Sequence, residues 1–365
     1  MPIALLKFPT DLLRDVFKQC NPFELYCLSK CSKRARNSVK SGGKMNWKIS
    51  YWGSKEIGIC GDGWNYFFEA NEEPENYFKR WQLSHKYMSI EFPNGGGVEL
   101  FIYLIDTLGI CIVRKLLVQF VERFDNISKV AKVLMERDME IEILSIGFFQ
   151  DVQVLANFMP LINQMRITKE FELGRKFPPD FHYQLVNYPS YIQIIYAFWF
   201  DINQLLSCTS TRIVLGDSVL SNQDLNVFFR KWKTAGAFPN LQCLIIMSEN
   251  IDNKSAILDM VPPITTVENP RKQVSIQFGG DQNDEVMTYD AVQIFKEDGT
   301  EAWLKVELGT FRKLEFLVCN PDNTKVEDIE LSDEEEEFED EEVDDEGSDG
   351  EEPDNEGADD EKSNE

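Results

Sequence analysis

Few residues in this chain are spaced for chemistry. Its 365 residues include only two histidines, His85 and His182. They stand far apart, with no Cys or His neighbour at ligand spacing, so no zinc site is expected. Eight cysteines (Cys20, Cys27, Cys31, Cys60, Cys111, Cys208, Cys243, Cys319) form no CxxC pair. Cys27 and Cys31 share a helix face at i, i+4 and, without further ligands, read as small packing residues. Gly95-Gly96-Gly97 has no following Gly-Lys-Ser/Thr, so it reads as a loop and not a phosphate cradle, and no GxGxxG follows a strand. Nothing resembles a nucleophile elbow or a protease signature. The expectation is a protein that is not an enzyme, with no catalytic residue, no cofactor and no metal. Ser332 and Ser348 differ: embedded in acids, they fit phosphorylation by acidophilic kinases, which would add negative charge.

The elements around these residues are more informative. Residues 5–40 pair two short amphipathic helices with more apolar surface than forty residues can hide from water. In the first, Leu12, Leu13, Val16 and Phe17 recur at i, i+1, i+4, i+5, one face of a 3.6-residue period, with Thr10 as the expected N-cap. The second opens on Asn21 as N-cap, Pro22 at the first helical position and Glu24 three residues after the cap. Leu25 and Leu28 lie on its apolar face. Such a hairpin gains most of its stability by docking on something else.

These residues resemble an F-box, of the variety expanded in nematodes. The matching positions are Phe8-Pro9, Leu12-Leu13, Val16-Phe17, Asn21-Pro22, Leu25, Leu28-Ser29 and Cys31-Ser32-Lys33-Arg34. Ala35 replaces the usual tryptophan, and Lys30 occupies a normally aliphatic position. The resemblance implies docking on a Skp-family adaptor, and through it on a cullin scaffold, by way of Phe8, Pro9, Leu12, Leu13, Val16, Phe17, Pro22, Leu25 and Leu28.

From about residue 98 to 250, short apolar strands (110–120, 141–147, 191–197, 211–216, 241–247) alternate with helices near 126–137, 150–159, 201–207 and 222–234. The last helix is the clearest. Ser221 and Asp224 form a capping-box variant, and Leu225, Phe228, Phe229 and Trp232 follow at i, i+3, i+4, i+7. Strands separated by helices imply right-handed crossovers and a parallel sheet. Strand starts roughly 20–30 residues apart predict a degenerate, leucine-rich-repeat-like stack. Residues 192–247 resemble the type 2 F-box-associated domain, chiefly in Leu205-Leu206, Ile213, Leu215, Asp224-Leu225-Asn226, Phe228, Gly236 and Leu241, and 286–318 fit that family's ending. There, 286–296 and 302–308 alternate around Asp298-Gly299 as a hairpin, completed by 311–318 into an antiparallel cap.

The expected organisation is therefore α/β: an F-box at 1–44, a strand-and-loop bridge at 45–97 holding Trp47, Trp52, Trp64 and Trp81, a repeat-like F-box-associated domain at 98–320, and a disordered acidic tail at 321–365. The formal net charge of −26 belongs to one end. Residues 327–365 carry 24 Asp and Glu against Lys362 alone, a net −23, which leaves 39 acids and 36 bases, a net −3, for residues 1–326. Residues 1–40 carry a local +5, suited to an acidic partner. A nearly neutral body with a polyanionic tail opposes nucleic acid. No apolar run approaches the ~20 residues of a membrane helix. With no basic n-region or apolar h-region at the start, the expected location is intracellular, cytoplasm or nucleus, with reduced cysteines.

The resemblances together imply a substrate-receptor subunit of an SCF-type cullin-RING ubiquitin ligase, holding an unknown protein target. The rival is an acidic nuclear interaction protein whose tail binds histones or other basic proteins. An enzyme whose site assembles only in space ranks third.

Overall fold

Strands with apolar residues at alternate positions bury one face of a large sheet beneath a row of helices. The structure is a computed structural model and describes residues 8–42, 46–53, 55–71, 79–82, 84–93, 96–118, 124–147, 152–266, 271–279 and 284–329. Three helices open the chain: α1 (Thr10–Lys18), α2 (Pro22–Cys31) and α3 (Lys33–Ser41). Strands β1 (Lys48–Tyr51), β2 (Glu56–Gly61), β3 (Trp64–Ala70), β4 (Lys79–Gln82) and β5 (His85–Ile90) follow, then α4 (Gly96–Leu108). Alternation continues through β6 (Ile112–Val118), α5 (Phe124–Glu136), β7 (Glu140–Ile146), α6 (Val152–Ile162), β8 (Arg166–Leu173), β9 (Tyr191–Ile194), α7 (Ile202–Ser207), β10 (Arg212–Leu215), α8 (Asn222–Lys233) and β11 (Cys243–Met247). The chain closes with β12 (Arg271–Phe278), β13 (Asp284–Tyr289), β14 (Val292–Phe295), β15 (Glu301–Leu308), β16 (Arg312–Val318) and β17 (Thr324–Ile329).

Among the described residues, fourteen strands join in the order β14-β15-β16-β11-β10-β9-β8-β7-β6-β1-β2-β3-β5-β4. From β6 to β11 each strand lies parallel to its predecessor in sequence. The F-box-side strands belong to the same sheet, because β1 pairs parallel with β6 and antiparallel with β2. The five strands β1 to β5, expected to bridge the opening helices and the later strands, are thus part of the large sheet itself. Helices cover one face: Phe101 of α4 packs 5.4 Å from Tyr51 of β1, and Trp232 of α8 sits 4.9 Å from Phe316 of β16, both edge-on. Neighbouring helices touch, α4 with α5, α5 with α6 and α7 with α8.

Among the described residues, a second sheet covers one end of the opposite face. It is antiparallel, in the order β13-β12-β17. Its Val274 and Ile276, with Ala291, close over Cys243, Leu317 and Trp303 as a separate small core.

Several expectations change. Of the glycine run expected as a loop, Gly96 and Gly97 open α4 instead: Gly96 adopts a left-handed φ of 71°, which glycine takes without strain, and Gly97 is buried. The strand expected over 286–296 breaks at Asp290, which adopts φ 55°, and its halves β13 and β14 enter different sheets. Strand β17, inside the expected tail, pairs with β12 from Thr324 to Ile329, so the folded body runs past residue 320. Ser332 and Ser348 lie outside the described residues, as does the tail beyond residue 329.

Candidate functional site

The N-terminal helices have two apolar stripes with different fates. On α1, Leu13 and Phe17 point inward, at 8% and 1% exposure. One position round the helix, Leu12 is 47% exposed, with Pro9 and Phe8 exposed on the turn before it and Val16 half-buried on the turn after. The sequence pattern had merged these stripes into one face. Pro9, not Thr10, is the N-cap; it makes no side-chain cap, and its carbonyl accepts from Leu13 N–H at 3.0 Å.

The start of α2 follows its sequence signals. Asn21 Oδ1 accepts from Glu24 N–H at 3.0 Å, and Asn21 N–H donates to Glu24 Oε2 at 2.9 Å. Pro22 and Leu25 are buried, Leu28 half-buried. Ser32 then caps α3 by accepting from Ala35 N–H at 3.0 Å. That third helix went unread although its Ser N-cap signal is present.

Packing on the sheet uses aromatic rings. Phe23 meets Phe68 at 5.0 Å and Tyr66 at 5.3 Å, both edge-on, and Tyr26 meets Phe68 at 5.2 Å. Ser29 Oγ lies 2.7 Å from Tyr103 Oη of α4 and donates to Tyr26 O at 2.6 Å. Lys30 fills its normally aliphatic position with its stem, its Nζ 4.4 Å from the Tyr103 ring centroid. Burial, and then Arg36 nearby, lowers the Lys30 pKa. Ala35, in the tryptophan's place, is buried. Tyr26 and Tyr103 escaped the sequence reading because their contact spans some seventy residues of chain and leaves no local periodicity.

Of the nine residues expected to dock an adaptor, the structure therefore presents Phe8, Pro9 and Leu12 outward, with Val16 and Leu28 half-buried beside them. Leu13, Phe17, Pro22 and Leu25 are buried in the protein's own core. Beside the outward edge, a cleft of about 410 Å³ between α1 and α3 is lined by Thr10, Leu13, Arg14, Arg34, Asn37 and Ser38, among others.

A family model described as an F-box domain matches residues 5–45, which hold α1 to α3. A second, described as F-box associated, matches residues 180–246, from the approach to β9 through β11. The chain carries an F-box domain and a type 2 F-box-associated domain. No curated protein and no solved structure matches it. The second match overlaps the resemblance read over 192–247, while the family ending read over 286–318 falls outside it. Among the described residues this F-box protein has no group of three or more His, Cys, Asp or Glu side chains placed to hold a metal. No described helix is long and apolar enough to cross a membrane.

Proposed function

We propose that this F-box protein is a substrate-receptor subunit of an SCF-type cullin-RING ubiquitin ligase. The observation that carries the reading is the outer stripe of α1. Phe8, Pro9 and Leu12 remain exposed while the inner stripe is sealed, and the F-box match over residues 5–45 supports a Skp-family adaptor as the partner that would cover them. The F-box-associated domain, a repeat-like run of parallel strands, would hold the target protein. Leu13, Phe17, Pro22 and Leu25 would support the docking edge from beneath without touching the adaptor.

The chemistry would come from proximity. A target held beside a ubiquitin-charged enzyme on the cullin scaffold meets it at high effective concentration, and no catalytic side chain of this chain is required. Exposed apolar side chains at the centre of an interface carry much of its affinity. Replacing Pro9 and Leu12 together by alanine should therefore abolish co-purification of the adaptor and cullin. A chain ending after Ile329 should retain both. Undiminished adaptor recovery by the double variant would remove the mechanism.

A further inference from the structure

Among the described residues, no helix lies over the second face of the large sheet between β5 and β9. The strand register runs one row of side chains across it, including Tyr87, Phe67, Lys115, Glu170, Tyr191 and Arg212. The small sheet stands over β11 and β16 and ends this row as a wall.

Charge along the row is unbalanced. Arg212 is committed to Asp284 of the small sheet, its guanidinium 4.4 Å from the Tyr191 ring centroid. Glu170 and Glu172, two apart on β8, share one face, and burial together with the Glu172 carboxylate raises the Glu170 pKa. Neither has an ion-pair partner among the described residues. Of the nearby lysines, Lys169 binds Glu142 at 2.7 Å, while Lys115, 5.6 Å from the Trp52 ring centroid, acts on Glu170 through space without forming an ion pair with it. Two half-buried carboxylates held side by side favour a shared proton or a cation between them.

The other end of the bare face is aromatic. Phe67 stacks on His85 at 5.5 Å and on Tyr87 at 5.1 Å, and Trp52 is 37% exposed. Gly58 lies close beneath them, where a Cβ would meet Phe67 and Trp52 each at 3.2 Å.

We propose that this bare face, from the aromatic stack to the Glu170–Glu172 pair, docks a partner protein through a segment that places a lysine or arginine between the two carboxylates. Charge complementarity selects the occupant: a cation relieves the carboxylate repulsion, whereas the chain's own acidic tail increases it. The inference rests on the receptor reading for one point, that the partner is a ligase target. The F-box helices pack on the opposite face, so adaptor and partner are held at once.

The test uses full-length protein, wild type and Glu170→Gln/Glu172→Gln, each selecting from a display library of short random peptides at physiological salt. The best peptides are then titrated against both proteins by fluorescence anisotropy. Wild-type selections should share a lysine or arginine beside an apolar residue, and those peptides should bind the double variant about tenfold more weakly, the loss expected for one charge-assisted hydrogen bond. Both proteins carry the same tail, so binding through it cancels in the comparison. Glutamine keeps the shape and removes the repulsion, so the variant should melt no lower than wild type. Ile143→Lys, which supplies the cation from the neighbouring strand, should weaken the same peptides. Selections without a cationic residue, or equal affinity of wild type and variants for the cationic peptides, would overturn the proposal. Adaptor recovery from the same preparations is a separate readout: its loss with peptide discrimination intact fells the receptor reading alone, and its retention without discrimination fells this inference alone.

Discussion

At Glu170, burial and then the Glu172 carboxylate push the pKa up to about 7, from an ordinary value of 4.5. Between those values the folded protein keeps a proton that the unfolded chain has released. Stability must therefore fall as pH rises through that window. Glu170→Gln should flatten the decline, which a series of melting curves from about pH 4.5 to 7 would show. Glu142 behaves oppositely: burial works to raise its pKa, but hydrogen bonds from Lys169 and Lys48 prevail and lower it. Its contribution is present at neutral pH and lost as pH falls through its folded value. Ser29 gives a further residue-scale expectation. Ser29→Ala removes the 2.7 Å hydrogen bond to Tyr103 and should cost about 1 kcal/mol in urea denaturation.

At the scale of elements, the two stripes of α1 should separate stability from the proposed adaptor binding. Phe17→Ala empties a site at 1% exposure and should cost about 3–5 kcal/mol. Leu12→Ala, at 47% exposure, should change stability by no more than about 0.5 kcal/mol while it weakens adaptor recovery. Urea titration of both variants beside a pull-down checks the contrast. The sequence made some elements legible and hid others for physical reasons. In α8 the cap and the apolar face are local, so Ser221, Leu225, Phe228, Phe229 and Trp232 could be placed, and all four apolar residues are fully buried. Strand β8 was missed because Arg166, Lys169, Glu170 and Glu172 interrupt its apolar pattern, a consequence of its lying on the bare face. Helix α4 was hidden by its glycines. The proposed docking edge could be narrowed to Phe8, Pro9 and Leu12 only once long-range packing had assigned Leu13 and Phe17 to the interior.

For the whole molecule, the boundary of the folded body decides where it can be cut. Ending the chain before Thr324 removes β17 and bares one edge of β12, whose Val274 pairs with Val326. That should cost ~2 kcal/mol, a fall in Tm of about 3 °C at this size, measured by calorimetry. Ending it after Ile329 should leave Tm unchanged. The three opening helices share one continuous apolar core with the sheet, from Phe17 through Phe68 and Tyr51 to Phe316. No hinge separates them within that core, so on the receptor reading the assembly would work as a gauge of set span. Which lysine of a captured protein receives ubiquitin would then be decided by how far it projects from its anchor point, and lengthening a loop in the captured protein should move the modified position without altering capture.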